Sequence, residues 1–201
     1  EMQKGEEVYL TGLELLMVML AGVSLPRPEY NKMMKDLIAA LKANGPRIKP
    51  KVRLLYTGGH ADNPEFFELL QQNDAHVVSD NTGFGTRAAD VLIREDGDPL
   101  EAIIDYYFEE KPAATRQMGT QVERMERLLD LVKQYKADGV VASRLYMCDL
   151  WAFEHFLMRK RLHENNVPFL ELEVDYTPEG QGQIKTRVQA FVESLADRQT
   201  A

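Results

Sequence analysis

Between Asp138 and Tyr176 the hydrophobic pattern changes its period twice. Gly139 to Ser143 is a short apolar run of strand length, Asp149 to about Asn165 repeats at helical spacing, and Phe169 to Val174 is apolar again. A strand, a long helix and a second strand in immediate succession describe a crossover unit, because parallel strands need a connection of a dozen or more residues, usually a helix. Such crossovers are right-handed, which fixes the hand of the fold. At the junction of the first strand and the helix stands Cys148, the only cysteine in the chain.

The remainder of the chain extends this pattern. Thr11 and Glu14 form a capping-box signature that predicts a helix from about Gly12 to Gly22, ended by Pro26 and Pro28. A second helix is expected from Pro28 to Ala43, with Tyr30, Met33, Met34, Leu37, Ile38 and Leu41 at helical spacing and Asn44-Gly45-Pro46 as its stop. Lys51 to Tyr56 reads as a strand opening into Thr57-Gly58-Gly59-His60, and Asn63-Pro64-Glu65 starts a helix that runs to about Asn73. His76 to Ser79 is a further strand, followed by the polar loop Asp80 to Arg87. Asp98-Pro99 caps a helix over Leu100 to Phe108, and Pro112 and Gly119 predict irregular chain from Glu109 to Gly119. Helices over Thr120 to Tyr135 and Gln183 to Leu195 complete the reading. Strands that alternate with helices imply α/β architecture with a four-stranded parallel sheet. Residues 1–50 read as a helical N-terminal extension and 51–201 as the α/β domain.

Composition narrows the partners. There are 24 basic and 32 acidic side chains, a formal charge of -8, and no Lys/Arg run, so nucleic acid and an anionic membrane are poor partners. The most hydrophobic segment, Leu13 to Val23, is too short to span a bilayer and lacks the flanks of a signal peptide. One cysteine cannot form an internal disulfide, which points to a reducing, cytoplasmic setting. The chain opens without an initiator methionine at position 1 and reads as a piece of a longer protein.

The candidate chemistry lies on the loops. In an open parallel sheet, ligands bind beyond the carboxyl ends of the strands, where loops enter helix N-termini. A helix N-terminus favours thiolate, the form of cysteine that attacks electrophiles and binds metals. Set against this, a lone cysteine is often a small buried hydrophobe. As a nucleophile Cys148 would want a base, and His60 is the histidine expected on a loop at the same sheet edge; His76 begins a strand, while His155 and His163 fall within a helix. No CxxC or HxxxH spacing is present, so a metal held at Cys148 would take most of its ligands from elsewhere. Gly58 and Gly59 would let backbone approach a ligand, although no phosphate-loop pattern surrounds them. Asp80, Asn81, Thr82 and Arg87 could hydrogen-bond a ligand or serve as turn chemistry. Glu173 and Asp175 could act as paired acids or stand solvated, and Thr186 with Arg187, near Gly182, could hold an anion or lie on a helix surface.

Several of these segments, in this order and spacing, resemble the 2-hydroxyacyl-CoA dehydratase and benzoyl-CoA reductase family. The stretches that carry the resemblance are Asp138 to Val141, Cys148-Asp149, Asn166 to Tyr176 and Gly182 to Glu193. Leu54 to Glu65, Val77 to Arg87 and Asp98 to Tyr107 add to it upstream, and the likeness covers nearly the whole chain from Gly12 on. It implies a flavodoxin-like or Rossmann-like three-layer domain, the C-terminal portion of a subunit of a two-subunit radical acyl-CoA enzyme. In such enzymes a 4Fe-4S cluster sits near an acyl-CoA thioester, and an ATP-dependent iron-sulfur activator protein supplies a low-potential electron. The outcome is dehydration through a ketyl radical or reduction of an aromatic ring. Cys148 would match a cluster cysteine, and Gly58, Gly59, His60, Asp80, Asn81, Thr82, Thr186 and Arg187 would line the cleft facing cluster or thioester. Two departures stand out: some relatives carry cysteine where this chain has Gly83, and another where it has Ala113. These leave room for a non-catalytic subunit that keeps the fold without a cluster. A Cys-His hydrolase built on Cys148 and His60 is the third reading, and no catalytic residue is assigned at this stage.

Overall fold

The computed structural model describes residues 2–59, 63–72, 74–175 and 181–200. Four strands carry the molecule: β1 (Val52–Gly58), β2 (Ala75–Asn81), β3 (Gly139–Leu145) and β4 (Phe169–Val174). All pair in parallel, in the order β2-β1-β3-β4. Every residue of β1 is buried, as expected of a central strand covered on both faces. The chain leaves β1 outward to β2 and then returns to the other side of β1 as β3. The strand order therefore reverses between β1 and β3, where an open parallel sheet leaves its ligand crevice.

Helices cover both faces: α1 (Gly12–Ser24), α2 (Arg27–Asn44), α3 (Pro64–Leu70), α4 (Pro99–Asp105), α5 (Gln121–Gln134), α6 (Asp149–Glu164) and α7 (Gln181–Thr200). On one face Leu16 of α1, Phe66, Phe67 and Leu70 of α3, and Val188, Val192 and Leu195 of α7 pack on Leu54, Tyr56, Val77, Val141 and Leu172. On the other, Met125, Leu128 and Val132 of α5 and Met158 and Leu162 of α6 cover Leu55, Val140 and Ala142. Each such fully buried aliphatic side chain contributes about 1.5–3 kcal/mol relative to exposure. This is the expected three-layer α/β sandwich. Among the described residues no helix is long and apolar enough to cross a membrane.

Local chemistry sets the helix ends. The Thr11 hydroxyl accepts from the Glu14 N–H at 3.1 Å, and the Glu14 carboxylate accepts from the Thr11 N–H at 2.9 Å, completing the capping box. Asn63 and Asp98 cap α3 and α4 through their side-chain oxygens. The N-terminal region is tied to the segment before β1 by the Val8–Ile48 bridge and to β1 by Arg53, whose guanidinium donates to the carbonyls of Tyr135 (2.9 Å) and Gln3 (3.0 Å). α1 joins the helical layer, whereas α2 buries none of its residues.

Several element boundaries differ from expectation: β1 runs on to Gly58 and β2 to Asn81, so Thr57, Gly58, Asp80 and Asn81 lie in strands rather than loops, β3 continues to Leu145, and α3 stops at Leu70. The helix begun at Pro99 does not fray at Phe108 but widens into one π turn, Tyr106–Glu110, closed by the Lys111 N–H on the Tyr106 carbonyl at 2.7 Å. Lys111 is then extended because Pro112 follows it. α7 runs from Gln181 to Thr200, longer at both ends than the expected Gln183 to Leu195.

Candidate active site at the carboxyl edge of the sheet

β3 turns into α6 through Leu145-Tyr146-Met147-Cys148, closed by the Cys148 N–H on the Leu145 carbonyl at 3.1 Å. Met147 holds a φ of 60°, a left-handed conformation that a side chain of its size adopts at some cost, and it is 77% exposed. Cys148 is the N-cap residue of α6, half-buried, and its side chain makes no capping hydrogen bond. The thiol therefore stands at the crest of the sheet, over the first turn of a sixteen-residue helix.

The tip of β1 is pressed against this crest. The Gly59 N–H donates to the Ser143 carbonyl at 3.1 Å, and the Tyr56 and Ser143 hydroxyls lie 2.5 Å apart. Gly58, with φ 143°, lies so close to β3 that a methyl group there would overlap the Ser143 carbonyl oxygen. At Gly59 the indole of Trp151, from the first turn of α6, fills the space a side chain would need. These glycines thus serve close approach of β1 to β3 and α6. His60, the third member of that group, lies outside the described residues, and with it the expected Cys148–His60 pairing.

Beside them, at the end of β2, Asp80 is buried and its carboxylate accepts from the Thr82 N–H (3.0 Å), the Thr82 hydroxyl (2.8 Å) and the Thr86 N–H (3.1 Å). Burial pushes the Asp80 carboxyl above its usual range, against the pull of those donors. The Asn81 carbonyl accepts from the Thr57 hydroxyl at 3.3 Å, and its side-chain oxygen from Arg127 at 3.4 Å. Asp80, Asn81 and Thr82 spend their polar atoms on the loop itself and its immediate neighbours.

Thr186 and Arg187 do not join this group. They sit in the second turn of α7 rather than opening it; the Thr186 hydroxyl donates to the Gly182 carbonyl at 3.0 Å within the helix. Arg187 donates to the Glu171 backbone carbonyl at 2.7 Å, on the outer edge of β4. It lines a groove of about 770 Å³ there with Arg144, Arg159, His163, Arg198 and Glu173. Glu173 is paired with Arg144, and Glu171 with Arg159, so these strand-end acids belong to ion pairs.

Two buried arrangements escaped the sequence reading. Arg124, in the first turn of α5, makes a bidentate pair with Glu154 of α6 at 2.7 and 2.8 Å, and both side chains are sealed from solvent. The same guanidinium binds the Ala114 and Gln117 carbonyls at 3.3 and 3.2 Å and the Thr120 hydroxyl, tying the loop before α5 to the helix that Cys148 begins. A signal was available: Glu154, Met158 and Leu162 fall on one helical stripe whose other members are core. The second is His155, fully buried between Trp151 and Phe169 with neither ring nitrogen hydrogen-bonded; its Nδ1 is 3.5 Å from the Glu171 carboxylate. Burial holds this imidazole below its usual range, although Glu171 pulls the other way.

The donor set decides what metal chemistry the described residues can support. Among them no three His, Cys, Asp or Glu side chains converge to hold a metal ion. Cys148, the one cysteine, could supply a single sulfur donor there.

Residues 1–195 match the family described as 2-hydroxyglutaryl-CoA dehydratase, D-component. The putative dehydratase subunit YjiM of Escherichia coli K12 is 30% identical over 156 residues, spanning 75% of this chain and 39% of that protein. The (R)-phenyllactyl-CoA dehydratase beta subunit of Clostridium sporogenes is 24% identical over 182 residues, covering 89% of this chain and 47% of its own length. A benzoyl-CoA reductase subunit of Thauera aromatica is 22% identical over 185 residues, covering 90% of this chain and 48% of its own length. The chain thus spans less than half the length of these relatives.

Proposed function

Because this chain belongs to the 2-hydroxyglutaryl-CoA dehydratase D-component family, we propose that it is the C-terminal part of an iron-sulfur subunit acting on an acyl-CoA thioester. The observation that carries the reading is the placement of Cys148: a half-buried thiol at a helix N-cap, beside the point where the strand order reverses. In this reading Cys148 is one ligand of a 4Fe-4S cluster, and the other ligands come from polypeptide outside the described residues. The cluster, when bound, would relay low-potential electrons to the acyl group, for dehydration or for ring reduction.

The chain's own residues have a positioning role. Arg124 and Glu154 hold α6, and with it the Cys148 end, against the loop before α5. Trp151 over Gly59 and the Tyr56–Ser143 contact hold the tip of β1 against β3 and the start of α6. The partners in this reading are a second homologous subunit and an ATP-dependent iron-sulfur activator, in the cytoplasm.

One observation favours a second reading. With no further thiol in the chain and no convergent ligand set among the described residues, a cluster-free subunit of the same fold would account for the family match. Anaerobic purification with the partner subunit, followed by iron and sulfide analysis of wild type and Cys148→Ser, separates the two. Iron present in the wild type and lost on substitution supports the cluster-bearing subunit. Iron at the same level in both overturns the role of Cys148, and iron in neither selects the cluster-free subunit.

A further inference from the structure

The two ends of the sheet are treated differently. β2 is buried along its whole length except at His76, whereas in β4 Phe169, Leu170 and Glu171 are half-buried and Glu173 is exposed. Val140 and Tyr146 take the Pro168 and Val174 carbonyls, so Phe169, Glu171 and Glu173 present their backbone groups away from β3. Those groups recur every second residue, the interval at which another extended chain pairs.

The groove of about 770 Å³ beside this edge is rich in cations. Four arginines and His163 line it against two acids, Glu171 and Glu173, on a chain whose formal charge is -8. The two acids are already matched, Glu173 by Arg144 and Glu171 by Arg159. Arg187 and Arg198 are left over: both are exposed, and among the described residues neither lies within ion-pair distance of a carboxylate. Arg187 donates instead to the Glu171 backbone carbonyl at 2.7 Å. A neutral carbonyl holds a guanidinium less firmly than a carboxylate would.

We infer that the open edge of β4 is a docking groove for an extended acidic segment of a partner protein. A carboxylate on the incoming chain draws Arg187 off the Glu171 carbonyl, and the carbonyl so released joins the outward backbone groups of Phe169 and Glu173 in a new ladder. Arg198, three turns further along α7, supplies a second anchor. An uncharged strand finds the Glu171 carbonyl occupied, so the arginine that closes the edge also selects what opens it. A small anion would engage the arginines but none of the backbone groups spaced along about 20 Å of strand, which makes a peptide the better occupant. The docking groove is independent of any cluster at Cys148.

Fluorescence anisotropy of labelled octapeptides on the 201-residue chain tests this, with circular dichroism confirming that each variant is folded. A peptide of alternating threonine and glutamate should bind about tenfold or more tightly than its threonine and glutamine counterpart, and should lose most of that advantage in about 0.5 M salt. Arg187→Ala should weaken the acidic peptide about tenfold and bring the two peptides within about threefold of each other, with Arg187→Lys between. Lys185→Ala, which removes a charge of the same helix outside the groove, should bind like wild type. Amide exchange at Phe169, Glu171 and Glu173 should slow when the acidic peptide binds. No binding of the acidic peptide, or an unchanged preference for it in Arg187→Ala, overturns the assignment. A proline and glutamate peptide bound as tightly also overturns it, because such a chain cannot pair along a ladder. Citrate that displaces the acidic peptide at equal concentration overturns it too, leaving a site for small anions.

Discussion

Replacing Glu154 with alanine should be among the most damaging single substitutions in this chain, although Glu154 touches no candidate ligand site. Removing the carboxylate leaves the Arg124 guanidinium, only 7% exposed, without its anion. Breaking a buried pair from one side costs about 3–5 kcal/mol, because a desolvated charge remains. Arg124 keeps the Ala114 and Gln117 carbonyls and the Thr120 hydroxyl as neutral acceptors. These place the expected loss near the lower figure, about 3 kcal/mol. For a domain of this size that is a fall in Tm of roughly 6–12 °C. Glu154→Gln, which retains one acceptor, should lose less. The double variant Arg124→Met with Glu154→Leu removes both charges and should lie within about 1 kcal/mol of wild type or above it. Urea denaturation followed by circular dichroism gives the stabilities of wild type and the three variants. If Glu154→Ala lies within about 0.5 kcal/mol of wild type, the range of an ordinary surface change, the pair is not desolvated and the reasoning fails.

Gly58→Ala should cost at least about 3 kcal/mol, from backbone strain at φ 143° together with the overlap on the Ser143 carbonyl, and a normal urea midpoint would contradict the close approach of β1 and β3. His155 is held neutral by burial, its folded pKa lying below the unfolded value, so the unfolded chain binds the extra proton. Its contribution to stability is therefore intact above about pH 6.5 and is lost as pH falls through that value, by up to about 1.4 kcal/mol per pH unit. His155→Phe should flatten that slope and, by removing unsatisfied ring nitrogens, raise stability at pH 6; stability scans from pH 5 to 8 decide it, and an unchanged slope refutes it.

Where backbone periodicity and local capping decide the outcome, the sequence was readable. The β3, α6 and β4 elements follow from apolar runs on either side of a stretch of helical length, and the Thr11–Glu14 box opens α1 as expected. The position of Cys148 at a strand-to-helix crest was legible for the same reason. The direction in which polar side chains turn was not. Asp80 faces inward because three donors of its own turn satisfy it, and Arg187 reaches a backbone carbonyl on the preceding strand rather than an open anion site. The π turn at Tyr106 and the Arg124–Glu154 pair likewise depend on tertiary neighbours that no window of sequence contains.

β4 is the outermost strand on its side of the sheet among the described residues. The Pro168 and Val174 carbonyls turn inward to the N–H groups of Val140 and Tyr146, so the backbone groups of Phe169, Glu171 and Glu173 look outward. Arg187 occupies the middle one of these three outward carbonyls, and a foreign strand seeking to extend the ladder would have to evict it first. α7 thus acts as a stopper against end-to-end polymerisation, and a truncation that deletes it would release a sticky margin able to recruit copies of itself.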